Sequence, residues 1–193
     1  MNRLFLIAAL GILVSGCALT VDEIDVKYIG RANLTVVDGA GNVLVDVQPE
    51  DKRTVFKDRV SAKKNGYGME MASIVTRNDV AKTFADAVAF ELENLGFKLG
   101  EGGKKVKVEL IRFYNDFKMG FFAGDAVADG LINVMVMDKE ENILYSRAYE
   151  GGAIEQNIQL ATGGNAEAAL TKAMTDIVAK VAQDKGLHKA LLQ

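Results

Sequence analysis

The chain has 193 residues, with 23 Lys and Arg against 26 Asp and Glu, a net charge of −3, and a single Cys, His and Pro. The length favours one domain, and the apolar share of 49% excludes a wholly disordered chain. With one cysteine and one histidine, internal disulfides and the common zinc and haem ligand sets are excluded, so no metal or other cofactor is expected. The mildly acidic charge also excludes a typical nucleic-acid-binding protein, which needs a basic surface.

The first sixteen residues have the layout of a secretory signal peptide. Arg3 precedes an apolar run from Leu4 to Val14, and the small residues Ser15 and Gly16 follow it. The run is shorter than the roughly 20 residues that a membrane-spanning helix requires. The sequence therefore predicts that residues 1–16 are a cleaved signal peptide.

The four residues Val14-Ser15-Gly16-Cys17 resemble the lipobox of bacterial lipoproteins. In those proteins the chain is cut between the residues that correspond to Gly16 and Cys17, and the cysteine is then acylated on its sulfur and its new amino group. Ala18, in place of an aspartate, implies by the same resemblance a lipid anchor in the outer membrane of a Gram-negative cell, with the domain facing the periplasm. The alternative is a cleaved signal followed by a free Cys17.

After the signal peptide, residues 17–32 show no clear period and are interpreted as a tether or a first weak strand. From Leu34 to Val47, two β-rich runs flank a Gly, Asn and Asp cluster, which predicts a strand-turn-strand unit that ends at Pro49. Asn65-Gly66 predicts a hairpin turn, with Lys63 and Lys64 beside it in solvent.

The first helix is predicted from Val80 to Leu95, where apolar residues recur at steps of three and four. Thr76 or Asn78 is the candidate N-cap, and Gly96 suits the left-handed position after the last turn.

Three strands and a second helix follow. The strands are predicted around Val106–Leu110, from Asp125 to Met137, and from Ile143 to Ile158, with turns that suit antiparallel pairing. The second helix begins at Thr162-Gly163-Gly164-Asn165 and is closed by Gly186, and one more helical turn is expected from Leu187 to Leu192. The predicted fold is therefore one α+β domain over residues 33–193, an antiparallel sheet with two helices packed on one face.

Several of these segments together resemble the YajG family of bacterial lipoproteins. They are the predicted strands and closing helix together with Asp51-Lys52-Arg53, Val75–Val80, Glu91–Phe97 and Gly186-Leu187-His188. The resemblance covers most of the chain after Val43. It implies an α+β envelope protein, anchored by lipid and facing the periplasm, without a catalytic signature.

Most candidate sites have a plain structural interpretation. His188 is expected to interact with carbonyl groups at a helix end rather than to serve in catalysis. Asp125 and Asp129 lie about 13 Å apart on one extended strand, which is too far for a catalytic carboxylate pair. The segment 162–165 is interpreted as a helix N-cap rather than a phosphate site, and Met135 and Met137 as core residues.

Two further groups have an open interpretation. Lys104, Lys105 and Lys107 suit either anionic lipid headgroups or a solvated strand edge. Phe121 and Phe122, set between Gly120 and Gly124, are either core residues or an exposed contact for a partner or a lipid chain.

The sequence thus favours a non-enzymatic lipoprotein of the cell envelope that binds an unknown protein or lipid partner. Two alternatives stay open: a hydrolase that acts on peptidoglycan or lipid through carboxylates, and a domain that binds lipid in a cavity between sheet and helices.

Overall fold

The computed structural model describes residues 19–30 and 34–193. These residues form eight strands in two sheets and three α-helices. The strands are β1 (Asp22–Ile24), β2 (Leu44–Asp51), β3 (Ser61–Lys64), β4 (Glu70–Thr76), β5 (Lys98–Leu99), β6 (Lys104–Met119), β7 (Gly124–Met137) and β8 (Ile143–Ile158). The helices are α1 (Val80–Asn94), α2 (Gly163–Ala182) and α3 (Lys185–Leu192).

The larger sheet has the strand order β5-β2-β6-β7-β8. The antiparallel pairing predicted for its last three strands is confirmed, and Met119 at the end of β6 lies opposite Gly124 at the start of β7. The prediction of a purely antiparallel sheet is wrong, because β2 runs parallel to both β5 and β6. The connection from β2 to β6 passes through α1, and such a crossover allows parallel neighbours where a short turn does not.

The smaller sheet has the order β1-β4-β3 and packs against β6. The backbone N–H of Asn115 donates to the carbonyl oxygen of Val60 at 2.8 Å, just before β3. The Ser61 hydroxyl donates to the Asn115 carbonyl oxygen at 2.8 Å and accepts from the Asn115 side-chain amide at 2.9 Å. Ser61 and Asn115 are both fully buried, so this polar pair fixes one sheet against the other.

Helices α1 and α2 cover one face of the larger sheet. Along β7 the even-numbered residues are buried and the odd-numbered ones are half-buried, as one covered face requires. Phe84 of α1 meets Phe113 of β6 edge to face, with ring centroids 5.1 Å apart. Met135 and Met137 belong to the half-buried face, so their predicted core position is wrong.

The ends of α1 differ slightly from the prediction. Asp79, rather than Thr76 or Asn78, caps the helix, and its carboxylate accepts from the backbone N–H of Lys82 at 3.0 Å. Asn78 binds the backbone of Val26 with both ends of its amide. Gly96 adopts the predicted left-handed conformation, with φ of 99°.

Four local predictions fail. Leu34–Val37 is not a strand. Pro49 lies within β2 instead of ending it. A proline is tolerated there because β5 pairs only with Leu44 and Val45, so the rest of β2 is an edge strand. Lys63 is buried in an ion pair instead of solvated. Gly186 does not close α2 but lies in the first turn of α3.

Two glycines let α2 approach the sheet closely. Gly130 of β7 lies opposite Gly151 of β8, and Ile177 of α2 packs on both. A Cβ atom would lie 2.8 Å from Ile177 Cδ1 at Gly130 and 2.8 Å from Ile177 Cγ1 at Gly151. The missing side chains therefore form a depression that Ile177 fills.

We expect Gly130→Ala to lower the free energy of unfolding by about 1–3 kcal/mol, because the added methyl group overpacks the contact with Ile177 and Phe113. Urea denaturation followed by circular dichroism measures the change. Gly164→Ala is the matched control, because a Cβ atom at Gly164 meets nothing within 4 Å and should be neutral or stabilising. Equal stability of Gly130→Ala and the native protein would contradict the close packing of Ile177 and Phe113 on Gly130.

Candidate functional site

The candidate site is the tip of the hairpin between β6 and β7, residues Gly120–Ala123. The backbone N–H of Gly120 donates to the carbonyl oxygen of Ala123 at 3.0 Å and closes the turn. Phe121 is 95% exposed and Phe122 is 86% exposed. Their rings pack edge to face on each other, with centroids 4.8 Å apart. The two aromatic rings thus project from the domain instead of entering its core.

Glycines on both sides shape this turn. A Cβ atom at Gly120 would lie 2.6 Å from the carbonyl oxygen of Ala123, and one at Gly124 would lie 2.7 Å from the carbonyl oxygen of Lys118. Both contacts are with backbone, which has little freedom to move aside. This turn geometry therefore requires glycine at both positions.

A shallow depression of about 610 Å³ lies beside the base of the tip. Its wall includes Met119, Gly124, Asp125 and Asn157. The Asp125 carboxylate accepts from the backbone N–H of Asn157 at 3.2 Å, so it holds the end of β8 beside the start of β7.

The structure does not bring the candidate carboxylates together. Asp125 and Asp129 share one face of β7, where four residues span about 13 Å. Asp129 forms an ion pair with Arg112, which also binds Glu150 at 2.6 Å. Among the described residues, no cluster of His, Cys, Asp and Glu suits a metal ion.

The start of α2 is an N-cap, as predicted, with an additional partner. Thr162 caps the helix and accepts from the backbone N–H of Asn165 at 3.4 Å. The backbone N–H of Gly163 donates to the Asp22 carboxylate at 2.8 Å. The protein's own carboxylate thus occupies the place that an anion would take.

The candidate lysines and the histidine also have partners within the domain. Lys104 donates to the carbonyl oxygens of Ala190 and Leu191 at 3.3 and 3.1 Å. Lys105 pairs with Glu141 at 2.7 Å, and Lys107 pairs with Glu50. His188 Nε2 lies 2.9 Å from the carbonyl oxygen of Ala182, the last residue of α2, as expected for a contact at a helix end.

A polar cluster around Asp184 was not predicted from the sequence. The Asp184 Oδ2 atom accepts from the hydroxyls of Tyr145 and Tyr149 at 2.8 and 2.9 Å and from Arg147 at 2.6 Å. Its Oδ1 atom caps α3 by accepting from the backbone N–H of Gly186 at 2.7 Å. The cap was recognisable from an aspartate before a helical segment, but the tyrosines are more than 30 residues away in sequence.

The chemistry of this cluster is structural. Burial alone would raise the pKa of Asp184, but the tyrosine hydroxyls and the backbone N–H groups stabilise its charge more strongly and hold the pKa at about 2. Burial and the neighbouring carboxylate raise the pKa of Tyr149, so its hydroxyl stays protonated. The ionised Asp184 carboxylate and the protonated Tyr149 hydroxyl hold the start of α3 against β8. Groups that keep one protonation state near neutral pH are poor acid-base catalysts.

The predicted lipid-attachment residue, Cys17, and the predicted cleavage point after Gly16 lie outside the described residues. In the part of the chain that the structure describes, no helix combines the length and the apolar character needed to cross a membrane.

A family described as uncharacterized lipoprotein matches residues 32–192. The chain belongs to this lipoprotein family. The match confirms the resemblance to YajG-type lipoproteins seen in the sequence, and it carries no catalytic description. Among curated proteins, no sequence matches the chain.

Several solved structures are similar to this chain at low sequence identity. A Xanthomonas campestris protein of the DUF330 family is 13% identical, with a TM-score of 0.54 over 84% of this chain and 92% of its own. A minor lipoprotein from Acinetobacter baumannii is 10% identical, with a TM-score of 0.42 over 58% of this chain and 89% of its own. A lipoprotein from Caulobacter crescentus is 11% identical, with a TM-score of 0.40 over 72% and 87%. The first of these likenesses supports the fold of this lipoprotein.

We expect the double variant Phe121→Ser, Phe122→Ser to change the free energy of unfolding by no more than about 0.5 kcal/mol, because both rings are already in water. Thermal denaturation measures the change. The control is Phe113→Ala, which removes a fully buried ring and should cost about 3–5 kcal/mol. A large loss of stability in the double variant would mean that the rings support the core.

The lowered pKa of Asp184 predicts a loss of stability in acid. Its pKa is about 2 in the folded protein and 3.8 in an unfolded chain, so its contribution, about 2 kcal/mol, is complete above about pH 5 and is lost as the pH falls towards 2. Urea denaturation of the native protein and of Asp184→Asn at several pH values measures this. The difference in stability should shrink below about pH 5, and a constant difference would contradict the assignment.

Proposed function

We propose that this lipoprotein is a non-catalytic binding component of the cell envelope, anchored by lipid at Cys17 in the outer membrane and facing the periplasm. Membership of a lipoprotein family supports the anchor, together with the apolar run that leads into Val14-Ser15-Gly16-Cys17. Ala18 supports the outer membrane, since the lipoproteins that the sequence resembles carry aspartate there when they are retained in the inner membrane.

The anchor explains how the domain would stay at the membrane. Each acyl CH₂ group buried in the bilayer contributes about 0.8 kcal/mol, and one chain alone binds reversibly. The several chains of a bacterial lipoprotein make the attachment effectively permanent. A domain held in this way works on molecules that reach the membrane surface.

The main observation in support of a binding role is the exposed aromatic tip at Phe121 and Phe122. Soluble domains seldom leave two adjacent aromatic rings in water unless a surface covers them in function. The carboxylate pair that the sequence singled out, Asp125 and Asp129, is spaced along one strand, and Asp129 is held by Arg112, so this pair does not support the hydrolase hypothesis. The space between sheet and helices is filled by buried side chains such as Phe84, Phe113 and Ile177, which leaves the lipid-cavity hypothesis without support.

We expect Cys17→Ala to move the protein from the membrane fraction to the soluble fraction of the envelope, because it removes the acylated sulfur. Fractionation of cells followed by immunoblotting measures the distribution, and mass spectrometry of the native protein should show the acyl chains. Retention of Cys17→Ala in the membrane fraction would contradict the proposed anchor.

The companion variant Ala18→Asp tests the proposal that the protein is anchored in the outer membrane. In a Gram-negative cell, we expect it to keep the lipid but move the protein from the outer to the inner membrane on a sucrose density gradient. It also serves as a control for Cys17→Ala, because both variants alter the same segment and only one removes the anchor. An unchanged gradient position would contradict the outer-membrane assignment.

A further inference from the structure

We propose that the aromatic tip, residues Gly120–Ala123, inserts Phe121 and Phe122 into the same bilayer that holds the lipid on Cys17. The bilayer would then be the partner of this surface, and the domain would meet the membrane at two points. This inference rests on the proposed function, because it takes the anchor at Cys17 as given.

The distance between the anchor and the domain is short. Leu19, the first described residue, follows Cys17 by two positions, which span at most about 7 Å. Leu19 is 63% exposed and Val21 is 57% exposed. Asp22 already belongs to β1, so the end of the domain that contains β1 must lie close to the lipid headgroups.

The aromatic tip lies at that same end of the domain. Asp22 pairs with Lys63 at 2.7 Å, and the adjacent Lys64 pairs with Asp116, three residues before the end of β6. Two neighbouring lysines of β3 thus connect the first strand of the domain to the base of the β6–β7 hairpin.

A second connection leads to the same end. Ile158, at the end of β8, lies opposite Gly124 at the base of the tip. The chain then passes through Leu160, which is 68% exposed, to Gly163, whose backbone N–H donates to Asp22. The five residues from Ile158 to Gly163 span at most about 18 Å. Leu19, Leu160 and the aromatic tip therefore lie at one end of the molecule.

The composition of the tip suits a bilayer. From Met119 to Gly124 the sequence has no charged side chain. The Gly120 N–H and the Ala123 carbonyl group satisfy each other, which lowers the cost of taking this backbone out of water. Lys118 flanks the tip; its ammonium group pairs with Asp116, and its side chain is 66% exposed. A lysine at that position keeps its charged end at the headgroup level while its methylene groups contact apolar chains.

The anchor also favours the bilayer over a protein as the occupant. A lipid on Cys17 would keep the bilayer permanently beside this end of the domain, so the effective concentration of bilayer at the tip would be high. A protein partner would have to reach the tip by diffusion. Aromatic side chains on an amphipathic surface are typical of segments that enter the boundary between headgroups and acyl chains.

The chain contains no tryptophan, so one introduced indole gives an unambiguous fluorescence signal. Phe122→Trp, in the full lipidated protein, is reconstituted into vesicles of phosphatidylethanolamine and phosphatidylglycerol whose acyl chains carry bromine close to the glycerol. We expect the emission to shift to the blue and to fall roughly twofold relative to unbrominated vesicles, because the indole lies in the shallow acyl region.

Ile143→Trp is the matched control. Ile143 is exposed and lies opposite Met137, at the far end of β7 from Gly124, about 43 Å away along the strand. Its indole should emit as in water and should not respond to the bromine.

The outcomes separate this inference from the proposed function. Failure of the lipidated protein to float with the vesicles would overturn the anchor itself. Flotation without quenching at position 122 would overturn the insertion of the tip and leave the anchor intact. A shift that appears only after a periplasmic extract is added would assign the tip to a protein partner, which also overturns the inference.

Discussion

The long antiparallel ladder between β6 and β7 is the constraint on which the rest of the structure depends. One face of this ladder is buried under α1 and α2, so its register decides which side chains form the core. The same ladder carries the Asn115 contact to the small sheet, the Gly130 depression that receives α2, and the turn that presents Phe121 and Phe122. Core and surface site are therefore two parts of one hairpin.

Much of the fold was predictable where a periodic pattern meets a distinct turn. The β-rich runs on either side of a polar loop identified β7 and β8, and the three- and four-residue spacing identified α1 and α2, within a few residues of their observed ends. The second half of β6 was not recognised, because a bulge at Ile111 shifts the buried positions from even to odd numbers. The parallel pairing of β2 was also missed, since no local pattern records which distant strand will be its neighbour.

The candidate site was only half predictable. The sequence drew attention to Phe121 and Phe122 because glycines surround them, yet it could not decide between core and solvent, since an apolar pair fits both. The cluster around Asp184 was missed because it joins the start of α3 to Tyr145 and Tyr149 on a different element. Contacts of this kind depend on tertiary structure, and their members give no joint signal along the chain.

The shape of the turn at Gly120–Ala123 affects the entropy of binding. Its backbone is closed by a hydrogen bond, and the two rings already rest on each other. An open loop would lose conformational entropy on meeting a surface, and this closed turn has lost part of that entropy on folding. The cost of ordering that opposes binding is therefore smaller than for an open loop, and the apolar area removed from water favours binding.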